Sequence, residues 1–592
     1  MCGIAGAFSK NHSIDSTILH AMLDIASHRG PDDKGVFISE NKFCGIGMNR
    51  LSIIDLSNGN QPIWNEDKSL VMVCNGEIYN HISLREELQE KGHQFATESD
   101  VEVVMHIYEE EGLKGFNRLD GMFALAIYAP EKSELVLARD RYGIKPLYIS
   151  NNQSETFYFG SEPKSILAVN ESKEVRDSVV LEHLVWGYSR KGLPIWKSLD
   201  TLPKGHYLVK SDSTTFVESY LEYSGKEEIK DFEEAKGKIR SEMIKSVESQ
   251  LMSEVPLGVF LSGGIDSSII VGIVTKILGK EVKTFSIDFE GERYSEADKI
   301  DHVSNLYNTD HLTFRADKDI LKYHEQVIKA CDEPFGDPAA LPTFYLCEQT
   351  VKHVTVSLSG DGSDEFQYGY AHHLKVKDKY AFLRSSVLHK IALNLPHWNP
   401  KVYSLISRTA PRKSWPSNLY FIMKFRLFQG GGDLSHPEHS SFESYERNSY
   451  LENDILIKTD RMSMYHSLEA RVPFLANDLI DLVKQVPKQF QLLNGIGKSA
   501  LRAAFPDLLD EKIMHQKKHG FTTPVGDWIR ESYSEQEFSA YVFNSGLKEL
   551  LKKKAIQSMI MEHFSHSYDH GKFLYRLLTV AKWDYIYKPK YG

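Results

Sequence analysis

The sequence predicts a two-domain α/β protein: an N-terminal antiparallel αββα sandwich, followed by a doubly wound parallel α/β domain with a helical C-terminal part. Three observations predict it. The 592 residues exceed what one hydrophobic core organises, so two or more domains are expected. Residues 1–165 read as short β runs separated by turns with a few helices, the pattern of antiparallel sheets sandwiched with helices. From residue 232 onward strands alternate with helices, which requires right-handed crossovers and a parallel sheet.

In the first half, Ser69–Cys74, Gly121–Tyr128 and Glu134–Arg139 are candidate strands, the last two joined by the polar turn Ala129–Ser133. Glu98–Glu111 reads as a helix with Val101, Val104, Met105 and Tyr108 on one face. The first domain is expected over residues 2–205, with a linker to about 230 that ends in the polar stretch Tyr223–Lys230. The second, 231–592, opens with the helical run Phe232–Met252. There follow the strand Val255–Leu261, the helix Ser267–Leu278, the strand Val282–Phe289, the helix Ser295–Tyr307 and the strand Val354–Leu358. Residues from about 370 to the end read as mostly helical. Ligands of such sheets bind at the carboxyl ends of the strands.

Composition narrows the function classes. At 41% hydrophobic and 26% charged, with no run near the ~20 apolar residues of a membrane span, no membrane role is expected. A net charge of −11 and no basic stripe argue against nucleic acid as a partner. Five scattered cysteines without a CxxC pair fit a reducing compartment, with neither a disulfide framework nor a zinc site. No secretory signal is visible, so a cytoplasmic enzyme is expected.

The chain begins Met1-Cys2-Gly3-Ile4, and a small second residue permits removal of the initiator Met. Cys2 would then carry a thiol and a free α-amine, with ordinary pKa values of about 8.5 and about 7.7–8.0. The amine can therefore act as general base for its own side chain. A second-position Cys alone says little, but further motifs follow in order: His28-Arg29-Gly30-Pro31-Asp32, Arg50-Leu51-Ser52-Ile53-Ile54-Asp55, Asn75-Gly76-Glu77-Ile78-Tyr79-Asn80 and Ser99-Asp100. With the run Ala138–Tyr148, these make residues 1–165 resemble the class II glutamine amidotransferases, whose fold is of the N-terminal nucleophile type.

The resemblance implies roles. Cys2 would attack the glutamine amide, and the Asn75 side-chain amide and Gly76 N–H would hold the resulting oxyanion. Arg50 would bind glutamine's α-carboxylate, Asp100 and Glu77 its α-ammonium, with Leu51 and Ile54 completing the pocket.

Further on, an apolar strand runs into Ser262-Gly263-Gly264-Ile265-Asp266-Ser267-Ser268. A glycine turn between strand and helix presents N–H groups to phosphate, Ser267 and Ser268 add donors, and Asp266 can hold magnesium. The string matches the pyrophosphate loop of ATP pyrophosphatases, which cleave between the α and β phosphates. Gly495-Ile496-Gly497-Lys498-Ser499 ends like a Walker A loop, but Leu492 occupies the first glycine position and no apolar strand leads in. Lys498 reads as a helix-start residue near the site at most.

With Ser359-Gly360-Asp361-Gly362-Ser363-Asp364, Asp332–Pro338, Lys458–Ser463 and Ser467–Leu475, nearly the whole chain resembles the glutamine-hydrolysing asparagine synthetases. That resemblance implies ATP and Mg2+ as cofactors, and glutamine and a carboxylate, first of all aspartate, as substrates. Leu261 and Ile287 would border the adenine and ribose, Ser359 and Gly360 would touch AMP, and Asp266 and Asp364 would bind magnesium. Asp361 would relay a proton during amine transfer, and Lys518 would steady phosphate charge. A homodimer stands as one candidate assembly.

The sequence departs from the family pattern at Asp361 (often Glu), Tyr368 (often Gly), Ala476 (often Asp) and Gln516 (often Arg). All four are expected near the acceptor carboxylate. Two alternatives therefore stand beside asparagine formation: the same mechanism on another carboxylate (a sugar acid, peptide or biosynthetic intermediate), and a plain glutamine hydrolase or silent binding protein.

Overall fold

The computed structural model describes residues 2–151, 155–170, 172–222, 227–289, 294–370, 373, 442–516, 523–551 and 553–591. Its first half contains β1 (Cys2–Ser9), β2 (Asp33–Ile38), β3 (Cys44–Arg50), β4 (Ile63–Trp64), β5 (Val71–Ile78) and β6 (Gly121–Ala129). It continues with β7 (Glu134–Arg139), β8 (Tyr148–Ser150), β9 (Thr156–Gly160), β10 (Leu199–Thr201), β11 (His206–Lys210) and β12 (Thr215–Ser219). These strands form two six-stranded sheets, ordered β10-β8-β9-β1-β3-β2 and β12-β11-β7-β6-β5-β4. The pairings are antiparallel throughout.

Alternation along the strands explains the layers. On β5, Val71 and Val73 face the first sheet and meet Ile4, Phe8, Ile46 and Met48, while Met72 and Cys74 point away. Those two pack with Leu84, Leu88, Val103 and Val104 from the helices His81–Glu90 and Glu102–Glu111. The helix Ser16–Asp24 covers the outer face of the first sheet through Leu19. The expected αββα sandwich is the observed one.

Two boundaries move. β11 and β12 pair with β7 at the edge of the second sheet, so the N-terminal domain runs through Ser219 and does not stop at 205. The helix expected from Glu98 starts at Glu102 and is buried on more than one face. Its upstream residues are committed elsewhere: the Asp100 carboxylate accepts the Ile78 N–H at 2.6 Å, and Glu102 reaches back to the N–H groups of Ala96 and Thr97.

The second half contains β13 (Leu257–Phe260), β14 (Lys283–Phe289), β15 (Asp310–Ala316), β16 (Val356–Leu358) and β17 (Glu469–Arg471) in one parallel sheet, ordered β15-β14-β13-β16-β17. Chain order reverses beside β13, and this places a crevice at the carboxyl ends of β13 and β16. β15 and β17 add two strands to the three expected. β17 is Glu-Ala-Arg, a sequence without strand signal, and is held by the internal Arg471–Glu469 pair. Helices dominate after it.

The two halves share a core. The helix Asp177–Trp186 lies against the C-terminal helix Gly571–Tyr587, and Trp196 meets Trp583 with ring centroids 5.4 Å apart. Charges are buried in the same seam. Arg29 is fully buried; its Nη1 and Nη2 donate to the two Asp460 oxygens at 2.8 and 3.0 Å, and Nη1 also reaches Glu162 at 3.0 Å. Glu77 meets Arg471 at 3.1 Å. Burial pushes the Asp460 carboxyl up, but Arg29 and Lys145 outweigh it and hold the group below its ordinary value.

Removing one partner of such a pair leaves the other charge buried and unpaired, a cost of about 3–5 kcal/mol. Asp460→Asn leaves Arg29 with Glu162 alone and is therefore expected to lower the unfolding free energy by up to that amount, seen as a lower urea midpoint of the full chain. An unchanged midpoint would show that the pair is not coupled to stability.

Candidate active site

Cys2 sits on β1 directly opposite Arg50 on β3, and its N–H donates to Asn75 Oδ1 at 3.0 Å. That one bond orients the Asn75 amide, leaving Nδ2 buried with no hydrogen-bond partner among the described residues. A buried donor without a partner is costly, and here it lies beside a nucleophile. Gly76 follows, and a Cβ there would come within 2.3 Å of the Met122 carbonyl oxygen, so only glycine lets β5 lie this close to β6. Burial pushes the Cys2 thiol up, opposed by the chain's amino terminus, then by the Leu51 backbone and Arg50.

Arg50 is fixed by the loop that follows it, donating to Asn60 Oδ1 at 2.8 Å and to the carbonyls of Ile54 and Asp55 at 3.1 and 2.6 Å. Glu77 and Asp100 are buried near by, and burial raises both carboxyls. Cys2, Arg50, Leu51, Ile54, Asn75, Gly76, Glu77 and Asp100 therefore lie in one neighbourhood. It holds a nucleophile, an unpartnered donor, a fixed cation and acids, which suits an amino acid amide.

The second centre lies at the expected crevice. After β13, Gly263 takes φ +68°, and a Cβ would meet the Lys299 carbonyl carbon at 2.8 Å. The Ser262 and Ser267 hydroxyls lie 3.1 Å apart, and Ser267 and Ser268 donate to the Gly264 carbonyl at 3.1 and 2.7 Å. This folds the loop over the start of the helix Ile265–Gly272. Leu261 and Ile287 are buried at the ends of β13 and β14. Ser359 and Gly360 follow β16, and a Cβ on Gly360 would lie 3.1 Å from the Asp266 Cβ, so the two loops touch.

Asp266 and Asp364 share one cation. Lys498 Nζ lies 2.7 and 2.6 Å from the Asp266 oxygens and 2.6 Å from Asp364 Oδ1. The residue set aside as the end of a false Walker loop thus fills the space between the two expected magnesium ligands. It also stands just before the helix Ser499–Ala504, as its sequence position implied. The signal that could have found it is its charge: two acids converging at a phosphate site need a cation. Lys518 lies outside the described residues.

Two side chains connect the centres. Arg29 Nε donates to the Cys2 carbonyl at 3.1 Å while its two Nη groups hold Asp460. The neighbouring Thr459 hydroxyl donates to Asp361 Oδ2 at 2.7 Å, and Ser359 donates to the same oxygen at 2.9 Å. The nucleophile and the acid beside the phosphate loop are thereby held in one continuous chain of contacts.

Comparison with known proteins agrees with this division. The family described as Glutamine amidotransferase domain matches residues 1–221, and the family described as Asparagine synthase matches residues 238–585. The chain belongs to the asparagine synthase family. A relative from Bacillus subtilis, asparagine synthetase [glutamine-hydrolyzing] 1, is 30% identical across 99% of this chain and 97% of its own length. A putative asparagine synthetase [glutamine-hydrolyzing] 2 from Methanocaldococcus jannaschii is 33% identical over 76% of this chain and 88% of its own. Asparagine synthetase B of Escherichia coli is 27% identical over 89% and 83%. Membership of the asparagine synthase family makes glutamine-dependent amidation the chemistry of this chain. Among the described residues, no helix is long and apolar enough to cross a membrane.

The departures from the family pattern fall in different places. Tyr368 holds φ +55°, a conformation that glycine adopts freely, with Lys488 Nζ 4.8 Å from its ring centroid. Its turn packs on the phosphate side, since a Cβ on Gly369 would collide with Asp364 Oδ1 at 1.7 Å. Ala476 instead heads the helix Asn477–Val483, whose first N–H donates to Asp120 of the N-terminal domain at 2.9 Å. It stands at the seam between domains.

Asn75→Asp tests the pocket, because it keeps the acceptor for the Cys2 N–H and puts a negatively charged oxygen where the unpartnered donor stood. Loss of one oxyanion donor costs about 10²–10³ in kcat. The glutaminase kcat is expected to fall by that factor with KM for glutamine within a fewfold. A change confined to KM would assign Asn75 to ground-state binding.

Proposed function

We propose that the protein converts aspartate to asparagine, using glutamine as nitrogen donor and ATP as activator, and releasing glutamate, AMP and pyrophosphate. The carrying observation is the chain of contacts from Cys2 through Arg29, Asp460 and Thr459 to Asp361, which ties the nucleophile to the acid beside the phosphate loop.

Removal of Met1 would leave the α-amine on Cys2 itself, next to the thiol it deprotonates. The thiolate adds to the glutamine amide carbon, and Asn75 Nδ2 with the Gly76 N–H takes up the oxyanion charge. Ammonia leaves, and water releases glutamate from the thioester. In the second centre an acceptor carboxylate oxygen attacks the α phosphorus of ATP and pyrophosphate departs. The acyl-adenylate is needed because a carboxylate offers no leaving group. Ammonia then displaces AMP, and Asp361 takes the surplus proton.

Asp266 and Asp364 fit magnesium, since both already converge on one positive charge. When bound, the metal would neutralise charge gathering on the departing pyrophosphate. Lys498 is placed to turn from the carboxylates to the phosphates, and Ser262, Ser267 and Ser268 to hold them.

Tyr368 favours a second reading, in which a larger carboxylic acid replaces aspartate. It adds a bulky side chain next to Gly369, whose backbone lies against Asp364. One assay separates the two. Purified protein with glutamine, ATP and aspartate is expected to give asparagine, with one AMP and one pyrophosphate per asparagine. Cys2→Ala should lose glutamine use and keep ammonia-dependent synthesis. Pyrophosphate that forms only with another acid would replace aspartate, and ADP as product would overturn the adenylate route.

A further inference from the structure

Away from both centres, on the outer side of the N-terminal domain, four side chains converge. Glu66 comes from the turn between β4 and β5, His93 from the segment after the helix His81–Glu90, and His106 and Glu109 from successive turns of Glu102–Glu111. One donor atom from each lies within 4.8 Å of all the others. His93 Nδ1 is 3.2 Å from a Glu66 oxygen and 3.8 Å from Glu109 Oε2, while His106 Nδ1 is 2.8 Å from Glu109 Oε2 and 3.7 Å from Glu66 Oε2. Four ligands about 2.0–2.1 Å from a tetrahedral ion stand about 3.3 Å apart, in the middle of this range.

The surroundings are those of a metal centre. Both histidines turn Nδ1 inward and leave Nε2 facing a carboxylate: His106 Nε2 lies 3.8 Å from Glu102 Oε1, and His93 Nε2 lies 3.2 Å from Glu110 Oε1. A carboxylate behind the imidazole fixes the tautomer that a metal requires. Other groups hold the acids in place: Asn65 donates to Glu109 at 2.6 Å and the Gln94 N–H to Glu66 at 2.8 Å. His106 is fully buried, Glu66 stands at the rim, and so an ion has a way in. Four carboxylates surround two imidazoles, and Lys91 lies 3.6 Å from Glu110.

We propose that Glu66, His93, His106 and Glu109 form a binding site for a zinc-class divalent cation, which ties the helix Glu102–Glu111 to the turn and segment beside it. The mixed imidazole and carboxylate donors favour zinc over magnesium, whose preference is for oxygen alone. The cysteine spacing that argued against zinc bears only on thiolate ligands. The ion would be structural: the same stretch of chain supplies Asp100 to the glutamine pocket, two residues before the helix begins.

The test is titration of chelator-treated full-length protein with Zn2+ alone against a competing indicator, with Mg2+ as control. One zinc per chain is expected at this site. His93→Gln, which keeps a hydrogen-bonding side chain, should weaken it at least 100-fold, and the rim variant Glu66→Gln at least tenfold. Zinc should raise the melting temperature of the parent and not that of His93→Gln, with unchanged circular dichroism showing both folded. Zinc bound equally well by parent and His93→Gln, or not at all by the parent, would overturn the proposal.

Discussion

Arg29 is the constraint on which the two-centre arrangement depends. Its five guanidinium donors are always charged, and here the group has no access to solvent. A cation in that position must be neutralised by acids that the fold brings to it, and Glu162 and Asp460 come from different domains. The domains cannot slide apart without exposing an unpaired buried charge. Because Arg29 Nε also holds the Cys2 carbonyl, the position of the nucleophile is tied to the position of the synthetase domain.

The same principle recurs around the seam. Arg471 stands on the edge strand of the parallel sheet and faces both Glu469 beside it and Glu77 in the glutamine pocket. Arg139 and Arg141, just after the hairpin of β6 and β7, reach Glu452 and Asp481 of the second domain at 2.8 Å each. Such pairs add little net stability because desolvation offsets their attraction, but they specify one relative placement. The apolar contact between Asp177–Trp186 and Gly571–Tyr587 supplies adhesion, and the charges supply register.

Much of this was legible in the sequence, and the failures have physical reasons. Strands with alternating or continuous apolar residues, such as β6, β7 and β14, were found close to their true limits, because local pattern alone specifies them. β17 was missed because Glu-Ala-Arg owes its conformation to buried partners distant in sequence. The proposed glutamine and phosphate sites were read through motifs, and the fold brings Cys2, Arg50 and Asn75 near one another and Asp266 near Gly360. Arg29 lay inside a noted motif, yet its role was invisible, since its partners Glu162 and Asp460 are 133 and 431 residues away. Lys498 was placed at a helix start near the site, but its charge went unread: its local string resembled another loop, and only the approach of Asp266 and Asp364 shows what the charge neutralises. His93 and His106 drew no notice, because their ligand set is spread over three segments with no fixed spacing.

If Arg29 couples the centres, weakening it should separate nitrogen release from nitrogen use. The direct measurement is the ratio of glutamate to pyrophosphate formed by Arg29→Lys, with glutamine and, separately, with ammonia as nitrogen source. Lysine keeps the charge but cannot hold Asp460 through two donors and the Cys2 carbonyl with a third. A ratio near one is expected in the parent and at least twofold higher in the variant, with ammonia-dependent pyrophosphate formation largely retained. A ratio that stays near one while both activities fall together would contradict that coupling.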